Sequence, residues 1–505
     1  ALNSKVGEKY IELQFTVTDT VVTINLPPIQ TDETLSFQLS NDNFQTVSNT
    51  ATIQVIGYAA SLLEARGEVL SIESRDSEGA LGNAKSLGPF AIGGQFIAFQ
   101  SQASNLVATD TNGFSDIFVR DRLNKTTIRV SESAAGAQAN NASSTVALSE
   151  TGRFVGFYSQ ATNLGFPDVN NKGDYFIVDR DPDQNETFDE NNNQVVRINL
   201  RPDGIQSLSV SPGFDSYGLQ LSDSGRFALI VSTDSDLVPN DLNIQPDVFL
   251  VDRDPDENGI FEDAEKGLGS YSNRLISSSS EGIYGNGPST SASMSGDSRY
   301  IVFESAASNL VAGDSNLVPD VFLKDTSTDK VVLLSRNANG IQGNAASTTP
   351  HISKSGRYIT FVSSATNLVP GAGEVGISKV FLIDQDPDGD GVYTPETSSP
   401  ILISRSPNDG APNEASLEPK VTDNGPSVVF KSLASNLVEG DTNARSDIFL
   451  WEGNLDQLRI ISVAPDGSQS VDGSSNPSIN DELLVTFDAT GLVDSDVTSF
   501  SDLYL

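Results

Sequence analysis

Ser353-Lys-Ser-Gly-Arg-Tyr-Ile-Thr-Phe-Val-Ser-Ser-Ala-Thr-Asn-Leu-Val369 decides how this chain is read. A Ser-x-x-Gly turn leads into an alternating strand, and Ala-x-Asn-Leu-Val leads out of it into a loop. The centre of this stretch returns as Phe99-Gln-Ser-Gln-Ala-Ser-Asn-Leu-Val107, Phe157-Tyr-Ser-Gln-Ala-Thr-Asn-Leu164, Phe303-Glu-Ser-Ala-Ala-Ser-Asn-Leu-Val311 and Phe430-Lys-Ser-Leu-Ala-Ser-Asn-Leu-Val438. Divergent copies run from Ser232 to Val238 and from Phe487 to Val493, which makes seven. The turn itself recurs as Ser149-Glu-Thr-Gly-Arg153, Ser222-Asp-Ser-Gly-Arg226 and Ser295-Gly-Asp-Ser-Arg299. Downstream of each loop lies another alternating strand, as in Asp116-Ile-Phe-Val-Arg-Asp121, Asp247-Val-Phe-Leu-Val-Asp252 and Asp447-Ile-Phe-Leu-Trp451. A further strand then ends in Ser131, Ser277, Ser335, Ser404 or Ser462.

Each copy therefore holds four short strands, and equivalent turn glycines are spaced from 58 residues (Gly94 to Gly152) to 73 (Gly152 to Gly225). Four strands repeated at this interval predict an all-β, seven-bladed β-propeller, in which every blade buries its faces against its neighbours. The last copy stops at Asp502-Leu-Tyr-Leu505, one strand short, while Val69-Leu-Ser-Ile-Glu-Ser74 has the character of an outer strand. Pairing of the two ends in one blade is expected to close the ring and remove the exposed edge of an open array. The expected boundaries are an N-terminal β segment at 1–58, a linker at 59–66 and the propeller at 67–505. In 1–58, alternating runs at 11–17, 22–26, 35–39 and 51–55 make only part of an immunoglobulin-like sandwich, so this segment is expected to pack or to exchange strands with another copy.

The columns of the repeat carry further expectations. Asn105, Asn163, Asp236, Asn309, Asn367, Asn436 and Gly491 share the position before Leu, and all three residue types tolerate positive φ, so a left-handed turn is expected there. His351 falls in a small or polar column of the innermost strand that should face the central channel. The arginines after the turn (Arg153, Arg226, Arg299, Arg357) are expected to pair with nearby carboxylates, and Trp451 to pack.

Composition bounds the chemistry. The 505 residues include 30 Lys+Arg against 68 Asp+Glu, a formal charge of −38, with no Cys and one His. Disulfides, thiolate metal sites and cysteine nucleophiles are excluded, and a single His leaves no multi-His metal site. The negative charge argues against nucleic acid, whose phosphates are bound largely by Lys and Arg, and suits hard cations held by oxygen ligands. No apolar run approaches the ~18 residues of a membrane span. The chain opens on Ala1 without a signal-like stretch, as expected of a processed form or part of a longer chain.

Two kinds of acidic loop are candidate calcium sites. In the outer hairpins stand Asp181, Asp183 and Asn185; Asp254, Asp256 and Asn258, with Glu265 at the twelfth position; and Asp386, Asp388 and Asp390. Alternate oxygen-bearing residues, two of the three runs continuing into Gly, can wrap one ion as in the first half of a calcium loop. Between the second and third strands lie shorter Asp-x-Asn-x-x-x-Asp loops, of which Asp110, Asn112, Asp116 and Asp441, Asn443, Asp447 are candidates. Asx turns alone would also select the residues of both classes. Blade five departs from the second kind, with Gly373 and Lys379 at its outer positions.

Ser-x-x-Gly-Arg-(Phe/Tyr)-(Ile/Val)-x-Phe-x-Ser, Ala-x-Asn-Leu-Val-x-x-Asp-x-Asn and Asp-(Ile/Val)-Phe-Leu together resemble the TolB-like, WD40-like propellers with PD40 repeats, over roughly residues 67–505. The resemblance implies a bacterial envelope or secreted propeller. The expected function is a non-enzymatic, calcium-stabilised secreted, cell-surface or periplasmic module for self-association or for binding another surface protein. The alternatives are a glycan- or peptide-binding propeller and a carboxylate-based glycan-cleaving enzyme.

Overall fold

The computed structural model describes residues 70–165, 168–190, 192–207, 218–261, 271–374, 376–423, 426–493, 496 and 500–505, together with the backbone of six strands within residues 2–55. The chain divides into two compact units, Ala1–Leu70 and Ser71–Leu505.

The larger unit is the seven-bladed propeller. Blade 1 consists of strands Ser86–Gly93, Phe96–Ser101, Asp116–Asp121 and Thr126–Arg129, hydrogen-bonded in that order and antiparallel throughout. Blades 2 to 6 repeat this order, starting at Ser143, Leu219, Ser289, Ser347 and Ser416. Blade 7 contributes Ser475–Ile479, Val485–Ala489 and Asp502–Tyr504. Its fourth strand comes from the other end of the propeller: Ser71 N donates to Leu505 O (3.1 Å), Leu505 N to Ser71 O (3.0 Å) and Glu73 N to Leu503 O (2.8 Å). The ring closes as the sequence predicts, with Ile72, Leu503 and Tyr504 no more than 1 % exposed.

The repeated residues each have a job. The Phe of the second strand and the Phe or Tyr of the third face one another within a blade, as in Phe303 and Phe322 (5.7 Å between ring centres), and all are buried. A buried Ser pair ties the first strand to the second, for example Ser289 to Ser305 at 2.9 Å. The terminal Ser of the fourth strand donates to the Asp that opens the third, as Ser131 to Asp116 (2.6 Å) and Ser335 to Asp320 (2.5 Å). Ser74 does the same for Asp502 (2.7 Å), so the closing strand carries its share of the pattern.

The Asn before Leu works differently from the left-handed turn expected of it. Among non-glycine residues none of that column has positive φ. Asn309 instead accepts from Asn286 N (2.9 Å) and donates to Tyr284 O (2.9 Å), and Asn105, Asn163, Asn367 and Asn436 make the equivalent pair of bonds. An amide is selected because it offers one acceptor and one donor to a loop whose main chain would otherwise lack partners. Each arginine after the turn forms a forked pair with the Asp at the end of the third strand and lies over the next aromatic ring, as Arg226 does with Asp252 (2.8 Å) and Phe227 (4.7 Å). Trp451 is buried and donates to Asp456 (3.1 Å).

The N-terminal unit contains three antiparallel hairpins: Leu2–Val6 with Lys9–Leu13, Phe15–Thr18 with Val21–Ile24, and Glu33–Ser40 with Val47–Val55. The run expected as one strand at 11–17 is divided between two of them.

Candidate metal centres and the central channel

The three long outer hairpins share one construction. Seven residues after the first Asp, an aromatic packs on the aromatic at the start of the preceding blade's second strand: Phe188 on Phe96 (5.3 Å), Phe261 on Phe154 (5.3 Å) and Tyr393 on Tyr300 (5.4 Å). Just before the acidic run, buried Arg180 and Arg253 lie over the same ring pairs. Each loop is thus a clasp from one blade to the one before it.

Within the clasp the first Asp is buried and turned inward. Asp181 accepts from the main-chain N–H of Asn185 (2.9 Å) and Glu186 (3.1 Å), and Asp254 from those of Asn258 (3.0 Å) and Gly259 (2.9 Å). Both oxygens are satisfied by the loop itself. The amide of Asn185 also donates to Asp183 (3.1 Å), and that of Asn258 to Asp256 (3.1 Å). Glu265 lies outside the described residues.

The third clasp has Gln385 in place of the buried arginine and differs in its acidic run as well. Asp390 stands where the others have Asn, so no amide bridges to the second Asp. Carboxylate oxygens of Asp386, Asp388 and Asp390 lie within 4.8 Å of one another, the one group of three or more potential ligands so placed among the described residues. Asp386 is 4 % exposed; Gly391 N reaches its Oδ2 (3.2 Å), while its Oδ1 is buried with no hydrogen-bond partner. Gly389 and Gly391 have φ of 72° and 80°, bending the loop around this point. The Arg357 guanidinium stands 3.7 Å from Asp386 Oδ2 and balances one of the three charges; three convergent carboxylates with a buried, unsatisfied oxygen still fit a hard cation.

The second kind of loop is closed mostly from within. In blade 1 the amide Nε2 of Gln138 donates to Asp110 (2.8 Å) and Asp116 (3.0 Å), and Asn112 donates to Asp116 (3.2 Å). Gln206 serves blade 2 and Gln342 blade 4 in the same way. In blade 5, Lys379 takes the place of the Asp, and its ammonium donates to the carbonyls of Glu374 (3.0 Å) and Ile377 (2.7 Å). Sequence reasoning did not connect these glutamines to the acidic loops, because they lie 22 or more residues away. Burial raises Asp247 to about 7 and Asp447 to about 6.

The innermost strands surround a cavity of about 570 Å³ lined from all seven blades. His351 lines it, as its column predicts, and its Nδ1 accepts the main-chain N–H of Val421 (3.2 Å). Ser293 accepts from Ile352 N (3.3 Å) and Gln220 from Met294 N (2.7 Å), so this column stitches together blades 3, 4, 5 and 6. Burial, then the nearby Lys420, holds His351 well below its ordinary value. At one mouth the turns join in sequence, Glu150 N to Asp223 O (3.2 Å), Asp223 N to Gly296 O (3.0 Å) and Gly296 N to Lys354 O (2.8 Å). The Lys354 ammonium bonds to Glu150, joining blade 5 to blade 2 at this mouth.

No protein-family model matches the chain, and no curated protein matches it. Among solved structures it is similar to the β-propeller domain of the Trilobed protease from Pyrococcus furiosus (12% identity, 81% of this chain and 90% of that chain, TM-score 0.44). It is also similar to TolB from Acinetobacter baumannii (12% identity, 88% and 77%, TM-score 0.36) and to the Pyrococcus horikoshii acylaminoacyl peptidase (10% identity, 84% and 51%, TM-score 0.41). No helix among the described residues is long and apolar enough to cross a membrane. By its own strand order the chain is a seven-bladed β-propeller, and its structural neighbours include TolB proteins and peptidase propeller domains.

Proposed function

We propose that this protein is a non-catalytic, calcium-stabilised propeller of the cell envelope or exterior that binds another protein or a second copy of itself. The observation that carries the binding half is a rim of exposed apolar side chains. Leu242, Ile244 and Leu317, in loops between second and third strands, are 84 %, 76 % and 86 % exposed. Ile283, Ile341 and Val471, in the loops that lead to the next blade, are also exposed. The Gln342 amide holds the two kinds of loop side by side at one end of the blade, opposite the girdle of turns. Single exposed apolar residues are ordinary, but a set repeated around one rim suits association. The N-terminal hairpins are the proposed assembly element, since a small β unit gains stability by pairing with a partner strand.

Calcium is assigned to the Asp386, Asp388 and Asp390 clasp, where it would fasten blade 5 to blade 4. A non-catalytic role is supported by the commitment of His351 Nδ1 to a main-chain bond. Two measurements test the proposal. Saturating calcium should raise the melting temperature of the full chain, because an ion bound only by the native state adds about 2.7 kcal/mol at 100 times its Kd; Asp390→Asn should reduce the rise. An unchanged midpoint in the native chain sinks the calcium assignment. Light scattering should give a larger mass for the full chain than for one beginning at Gly67 by more than the missing residues; a simple difference of that segment sinks self-assembly.

A further inference from the structure

Five blades carry the same Asp-x-Asn-x-x-x-Asp loop, and they serve as controls for one another. In blades 1, 2 and 4 a glutamine amide stands between the two carboxylates. Blades 1 and 2 add a guanidinium, with Arg129 at 4.0 Å from Asp110 and Arg197 at 3.0 Å from Asp174. Blade 3 has Tyr284 in place of the glutamine, but Asn243 donates to Asp247 (2.8 Å).

Blade 6 has neither the glutamine bridge nor the guanidinium. The amide of Gln469 is turned toward Gly440 O (3.4 Å), while its oxygen accepts from Thr442 N and Asn443 N (3.1 Å each). Asn443 donates to Ser470 O (3.2 Å) and also stands beside Asp447, whose charge its amide favours. The position that is Arg129 in blade 1, opposite Phe118, is Ile460 here, opposite Phe449. Asp447 is 0 % exposed; Ser462 bonds its Oδ1 (2.7 Å), and its Oδ2 is buried without a hydrogen-bond partner. Both oxygens of Asp441 are buried without one as well.

We propose that blade 6 binds a divalent calcium ion between Asp441 and Asp447, in the position that a glutamine amide takes in blades 1, 2 and 4. Two carboxylates balance its charge, and Asn443 Oδ1 and water complete an oxygen shell of the kind calcium takes. In blade 1 one nitrogen spans the equivalent pair of carboxylates at 2.8 and 3.0 Å, a little longer than the roughly 2.3–2.6 Å at which calcium bonds oxygen. Carboxylates left buried without hydrogen bonds or counter-charge are costly, which supplies the driving force. This site is separate from the Asp386 clasp and does not depend on it.

The test counts calcium ions per full-length chain by equilibrium dialysis and atomic emission, after stripping with chelator and reloading. Asp441→Asn should bind one ion fewer than the native chain, and Asp110→Asn the native number. Ile460→Arg, which copies the blade 1 guanidinium while keeping both carboxylates, should also lose one ion. Asp390→Asn should lose its ion independently, so failure of the clasp assignment is distinguishable from failure here. A folded Asp441→Asn or Ile460→Arg chain that retains the native count overturns the proposal.

Discussion

Asp234 provides a measurable pH dependence. It occupies the position that is Ala103, Ala161, Ala307, Ala365 or Ala434 in other blades, and it is 2 % exposed with Oδ1 buried and unpartnered. Burial, reinforced by neighbouring Asp236, pushes it up to about 7. Relative to the ordinary 3.8 this is about three units, which at about 1.4 kcal/mol per unit makes the ionised form cost about 4 kcal/mol. Between these two values the folded chain holds a proton that the unfolded chain has released, so this group's stabilising effect falls as pH rises through the window. Moving from pH 8 to pH 5 should recover about 2.5 kcal/mol. At about 2.1 cal/mol/K per residue over Ser71–Leu505, the unfolding entropy is about 0.9 kcal/mol per degree, and the recovery corresponds to about 3 °C. The assay is thermal unfolding at both pH values in chelator, for the native chain and for Asp234→Asn. The amide has no charge to desolvate, so the native chain should gain about 3 °C more than the variant on acidification. Equal gains would refute the reasoning, as would a carboxylate infrared band at pH 5.5 that disappears only in the variant.

Two further outcomes follow from the fold. Ile72→Ala removes the buried side chain of the closing strand and should cost about 2–5 kcal/mol, seen as a lower denaturation midpoint and early proteolysis near residue 70; a shift under 1 kcal/mol would mean that closure contributes little. Asn309→Gly separates two accounts of the Asn column: loss of the bonds to Asn286 N and Tyr284 O should destabilise by about 1–2 kcal/mol, whereas a left-handed turn would be indifferent to Gly or improved by it.

The blade count, the strand order and the closing strand were legible in the chain because a period of four strands repeats with nearly the same residues. His351 was placed in the channel by alternation alone, since a strand's faces alternate with a period of two. The Asn column was located correctly but explained wrongly. Positive φ is a property of one residue's backbone, whereas the actual cause is a pair of bonds to a loop 22 to 25 residues earlier.

The acidic loops show the same division. Their carboxylates and spacing are plain in the sequence, and on that basis the three outer hairpins and the shorter loops at Asp110 and Asp441 were candidates for an ion. Which oxygens are already satisfied depends mostly on groups far along the chain, Gln138 for Asp110 and Arg197 for Asp174. The sequence by itself determined the ring and where its negative charge recurs, because both are periodic. Only the tertiary structure decided which carboxylate oxygens remain without a hydrogen-bond partner, among them those at Asp234, at Asp386 and in blade 6, because satisfaction of a buried charge is set by what folding brings within hydrogen-bond reach.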